Sequence, residues 1–160
     1  MQQLTKSPDV AEVTDAVLTA SRALVAIAAR SLRDVEAIVS LTQYRALVVL
    51  AAYGTMRLSD LADKLQVSPP SATRLCDRLV KVGLISRIQS PLDRREVRLA
   101  ATKRGLRIVS QVTKRRRSEI ATILQHLSPD SQREVIQALS AFASVAGEIS
   151  DRNWAVAWDL

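Results

Sequence analysis

The stretch LSDLADKLQVSPPSATRLCDRLVKVG, residues 58–83, constrains the fold more tightly than any other part of the chain. Its first eight residues set Leu58, Leu61, Ala62 and Leu65 at helical spacing, leaving one apolar and one charged face. After the tripeptide Gln66-Val67-Ser68 the helical pattern resumes, with Ser68 at the N-cap and Pro69 at the first helical position, where a missing N–H costs nothing. Ala72, Leu75, Cys76, Leu79 and Val82 form the inward stripe, and Gly83 ends the helix. Ser71, Thr73, Arg74, Asp77, Arg78 and Lys81 mostly point outward. Two short amphipathic helices joined by so tight a turn predict a helix-turn-helix, whose second helix can offer its N-terminal side chains to the major groove of DNA. Short polar residues and arginine suit base edges, because arginine bonds guanine through two donors at once.

The segment after this helix pair carries charge that no core can use. LISRI after Gly83 and EVRLA after Arg95 read as two strands flanking a loop opened by Pro91, with Asp93-Arg94-Arg95 at its tip. Residues 68–105 hold nine basic and three acidic side chains, whereas residues 1–67 balance at seven each and residues 106–160 at seven and six. Nearly the whole net charge of +7 therefore lies in one central block, the electrostatic footprint of a polyanion binder. A cationic hairpin beside a recognition helix reads as a wing, able to insert arginine into the narrow minor groove. Asp93 is out of place against phosphate, so it is expected to brace the loop internally.

The remaining segments read as helix. From Asp9 to about Ala37 apolar residues recur by threes and fours (Val10, Val13, Val17, Leu24, Val25, Ala28, Leu32, Val35) without proline or glycine. A second helix begins at Ser40 or Thr42, with Ser40 and Gln43 fitting a capping box, and stops at Gly54. From Thr102 on, two more helices are expected, the last capped by Ser128 and striped by Val135, Ile136, Leu139, Phe142, Ala143, Ala146 and Ile149. Aromatic residues make up only 3% of a chain that is 48% hydrophobic, which favours helices over a β-sandwich. At 160 residues there is room for one domain or two small, closely packed pieces. The start MQQLTKSPDV has no secretory pattern, the apolar run Ala46–Tyr53 is far shorter than the roughly 20 residues a bilayer requires, and one cysteine permits no internal disulfide. A cytoplasmic protein without membrane contact is expected.

Taken together, these residues carry a family likeness. The pieces LADKLQVS, TRLCDRLVKVGLISR and DRR, with Thr102 and Gly105 beyond them, resemble the winged helix-turn-helix of the MarR family of bacterial transcription regulators. Gln66 stands where glycine is common in the turn, and Ala101 replaces the usual leucine before Thr102. The resemblance implies a mostly α fold with a small β-hairpin wing, divided into an N-terminal dimerisation helix (1–40), the winged domain (41–105), C-terminal dimerisation helices (106–150) and a tail (151–160). It implies a homodimeric repressor that binds a pseudo-palindromic operator in double-stranded DNA and is released by a small anionic or phenolic ligand. The residues assigned to DNA are Ser68, Pro70, Ser71, Thr73, Arg74, Arg78, Arg87, Arg94 and Arg95, with Asp93 as the wing brace. No cofactor, metal or catalytic residue is assigned. An architectural, weakly specific DNA binder is the alternative, since the same basic wing would serve it.

Other residues receive plainer assignments. Cys76, on the inward stripe, reads as a small buried hydrophobe. His126 is the only histidine and lies fifty positions from the only cysteine, so neither a metal site nor an enzyme finds its chemistry here. The run Lys114–Arg117 reads as a solvated helix face, and Trp154 and Trp158 in the tail as packing residues.

Overall fold

The computed structural model describes residues 9–89 and 97–148. Helix α1 (Val10–Leu32) starts at Asp9, whose carboxylate accepts a hydrogen bond from the Ala11 N–H at 3.0 Å. It ends earlier than the sequence pattern predicts. A 3-10 turn at Arg33–Val35 replaces its last turn, and the Val35 carbonyl accepts from both the Ile38 and Val39 N–H groups. Val35 within this tightening and Val39 after it are both buried in the core.

Helix α2 (Leu41–Tyr53) settles the choice of cap in favour of Ser40, which makes both bonds of a capping box with Gln43. Helices α3 (Leu58–Leu65) and α4 (Pro69–Lys81) form the helix-turn-helix. Gln66 closes α3 in the left-handed region at φ 55°, where glycine would sit without strain. Ser68 occupies the N-cap position of α4, but its hydroxyl makes no capping bond and donates to the Ser71 hydroxyl at 2.9 Å.

Strands β1 (Ile85–Gln89) and β2 (Val97–Ala101) pair antiparallel, with Ile85 opposite Ala101 and Gln89 opposite Val97. Met56 adds a short bridge to Leu99, so the base of the hairpin is tied to the loop before α3. Helix α5 (Lys103–Leu124) then runs back across α1 and α2, and α6 (Pro129–Val145) comes last, capped by Ser128 as the sequence predicts.

One core joins these pieces. Leu47 and Leu50 of α2, Leu61 of α3, Leu75, Cys76 and Leu79 of α4, Leu84, Ile85 and Leu99 of the hairpin, and Val109 and Val112 of α5 are all buried in it. Val82 is the exception to the predicted inward stripe, at 37% exposure. The Leu84 N–H bonds back to the Leu79 carbonyl at 2.9 Å, and this closure sends Leu84 inward in place of Val82. The fold is mostly α with a two-stranded wing. No helix among the described residues is long and apolar enough to cross a membrane.

Candidate nucleic-acid interface

Helix α4 has two contrasting faces. Ala72, Leu75, Cys76 and Leu79 are buried, while Pro70, Arg74, Asp77, Arg78 and Lys81 are exposed, and Ser71 and Thr73 are half-buried. At its N-terminal end a small polar group assembles. The Ser68 hydroxyl donates to Ser71, and an Arg74 guanidinium N–H reaches the same Ser71 oxygen at 3.5 Å. The Thr73 hydroxyl instead donates to the Pro69 carbonyl one turn back at 3.0 Å, so it is engaged on its own helix. Ser68, Pro70, Ser71, Thr73, Arg74 and Arg78 thus share the solvent side of one helix, with donors at its N-terminal end.

Arg87 reaches this surface from β1. It forms an ion pair with Asp77 of α4 at 2.5 Å, both partners remaining about half exposed. The pair bridges recognition helix and wing strand ten residues apart in sequence. Asp77 is absent from the contacts assigned by sequence, although an acid on a cationic face is a signal that could have found it. Arg94, Arg95 and Asp93 lie outside the described residues, as do Trp154 and Trp158.

Cys76 is fully buried on the inward face of α4. Burial pushes its thiol up to about 11, with Arg87 pulling weakly the other way. It is a packing residue held in its neutral form at physiological pH. Among the described residues no group of three or more His, Cys, Asp or Glu could hold a metal ion.

A groove of about 770 Å³ opens behind the helix-turn-helix, between α1, α2, α3, α5 and the end of α6. Tyr44, Arg45, Val48, Tyr53, Lys64 and Arg116 contribute to its walls. The Lys64 ammonium lies 3.7 Å from the centre of the Tyr53 ring, and the Arg116 guanidinium 5.7 Å from that of Tyr44. Arg116 Nε is buried without a hydrogen-bond partner among the described residues. Arg115 pairs with Asp34, so the run Lys114–Arg117 is not simply the solvated face its composition suggests. Its central pair holds α5 against the turn after α1 and against α2.

A buried helix-turn-helix scaffold with a cationic solvent face and an attached hairpin defines a DNA-binding regulator of the winged helix-turn-helix class. The MarR family model matches residues 39–97. A structure of RV1404 from Mycobacterium tuberculosis superposes with a TM-score of 0.82 at 43% identity, covering 91% of this chain and all of that one. The regulator YfiV of Bacillus subtilis is 33% identical over 101 residues, 63% of each chain, so the match spans just under two thirds of that relative. The chain belongs to the MarR family of transcription regulators. Structures of Staphylococcus aureus MepR bound to an oligodeoxyribonucleotide (TM-score 0.63, 20% identity, 84% of this chain and 97% of that one) and of NadR in complex with 4-hydroxyphenylacetate (0.62, 24%, 89% and 98%) share the fold.

Proposed function

We propose that this regulator is a homodimeric repressor that reads a pseudo-palindromic operator through α4 and the wing. The observation that carries the reading is the two-faced α4, whose apolar side is sealed into the core while Pro70, Arg74 and Arg78 face solvent from its first turn to its last. Base reading falls to Ser71, Thr73 and Arg74, with Ser68, Pro70 and Arg78 beside them, and Arg94 and Arg95 enter the minor groove. Arg87, tied to Asp77, contacts the backbone from the base of the wing. MepR bound to DNA on the same fold supports this arrangement, and the Bacillus subtilis relative MdtR, 30% identical over 100 residues, is a repressor.

A second chain completes the helical ends. Val10, Val25, Ile136, Phe142 and Val145 are among their exposed apolar side chains, and α6 buries none of its residues within the chain. The groove takes the releasing ligand, a small phenolic or carboxylic anion. The unpartnered Arg116 Nε supplies a buried donor there, and NadR holds a phenolic acid on the same fold.

Selection of bound sequences from a random DNA pool tests the regulator reading. The expected consensus is two-fold symmetric, with half-sites about one helical turn, roughly 34 Å, apart. Enrichment for A·T content without symmetry would overturn it in favour of an architectural binder.

A further inference from the structure

The corner between α4 and β1 is held from an unexpected direction. Most of the last carbonyls of α4 are closed by its own chain, Arg78, Leu79 and Val80 accepting from the N–H groups of Val82, Leu84 and Gly83, and past that end the carbonyls of Val82, Gly83 and Leu84 come one after another. All three are satisfied by the first turn of α5. Arg104 Nη1 donates to the Val82 carbonyl at 2.9 Å. The Thr102 hydroxyl donates to Gly83 at 2.8 Å and lies 3.2 Å from the Leu84 oxygen, and the Thr102 N–H donates to Leu84 at 3.0 Å. The same hydroxyl accepts the Gly105 N–H at 3.1 Å, which makes it the N-cap of α5.

Sterics close the joint further. A Cβ on Gly105 would stand 2.2 Å from the Leu84 oxygen and 3.2 Å from a Leu47 methyl, so only glycine lets the two backbones approach this closely. The electrostatics agree with the geometry, because the negative end of α4 meets the positive end of α5 and the Arg104 cation sits on the former.

We propose that Thr102 and Arg104 are positioning residues that fix the angle of the recognition helix against α5, and thereby set the half-site spacing the protein accepts. The idea rests on the dimer reading, in which α5 and α6 carry the second chain. The joint lies at the C-terminal end of α4, whereas Ser71 and Arg74 lie near the N-terminal end. Thirteen helical residues span about 20 Å, so a turn of about 10° at the joint swings the reading end by about 3.5 Å, one base-pair step. A joint tied by three consecutive carbonyls denies that swing.

The test uses the full-length protein on the operator selected with the wild type, and on versions with the half-site spacing changed by one and two base pairs. Arg104→Met keeps the stem and removes the donor, while Arg104→Lys keeps a cationic donor. Arg104→Met is expected to lower the discrimination between native and altered spacing at least fivefold, with the salt dependence of binding unchanged. Arg104→Lys is expected to restore most of it. Thr102→Val should act as Arg104→Met does, with thermal unfolding measured alongside to score only folded protein. An equal loss at every spacing, with a flatter salt slope, would make Arg104 a phosphate contact and overturn the proposal. Unaltered discrimination in Arg104→Met would overturn it as well. A wild type that is monomeric, or that selects no two-fold site, removes the dimer reading and this proposal together, and is seen before any variant is made.

Discussion

Leu47, Leu61, Leu79 and Leu84, spread over α2, α3, α4 and the corner before β1, are all sealed from solvent, yet along α6 not one residue is buried. Helix α1 shows the same contrast within a single element. Its C-terminal end carries Ile27, Ser31 and Leu32 into the interior and pairs Arg30 with Glu119 of α5, while Val10, Val13 and Val17 stay exposed toward its start. The winged half is completed by its own chain. The helical ends have the same amphipathic periodicity, but the described residues leave much of that face uncovered. Helical periodicity therefore reports that a face wants burial, without saying which chain will provide it.

Core truncation should break the comparison most severely. Leu79→Ala is expected to destabilise the folded chain by about 2–5 kcal/mol, as large-to-small changes at sealed positions do, and denaturant unfolding measures it. The matching change outside, Ile136→Ser with Phe142→Ser, should leave the unfolding of the winged half nearly unchanged. It should instead weaken self-association by on the order of 100-fold, about 2.7 kcal/mol, read by sedimentation. A large loss of monomer stability from the α6 pair would show that this helix is packed within its own chain after all.

Arg74 sharpens the contrast from within the completed half. Arg74→Ala should cost about 1–3 kcal/mol at the selected operator and much less on scrambled DNA, with thermal stability nearly intact. Losses of equal size on both DNAs would reassign it to phosphate. The smallest effect concerns Cys76. Its folded-state value of about 11 lies above the ordinary 9, so the folded chain holds this proton more tightly than the unfolded one. Its stabilising contribution is complete below pH 9 and fades between pH 9 and 11. Cys76→Ala should therefore lose less stability over that interval than the wild type, and alkylation of the native thiol should stay slow at neutral pH.

The local elements were legible because their causes are local. Ser40 with Gln43, Ser68 before Pro69, Thr102 before Gly105 and Ser128 before Pro129 mark four helix starts, and each marks one in the structure. The stripe Ala72, Leu75, Cys76 and Leu79 had only to find an interior, and periodicity identified the face that would enter it. The solvent face of α4 is what remains after subtraction, which is why its candidate DNA contacts could be named from spacing.

What the sequence could not supply depends on residues distant along the chain. Nothing local ends α1 at Leu32; the turn after it forms where Val35 and Val39 enter the core and Asp34 meets Arg115. Arg116 reads as one more charge in a basic run until α5 crosses α2 and lays it over Tyr44. Asp77 and Arg87 become partners only because β1 turns back along α4. By itself the sequence determined where the helices start and most of their apolar faces, since those depend on neighbours within about four residues. Only the tertiary structure decided which charges meet and which carbonyls Thr102 and Arg104 hold, because hydrogen bonds and ion pairs form between positions that folding brings within about 3 Å.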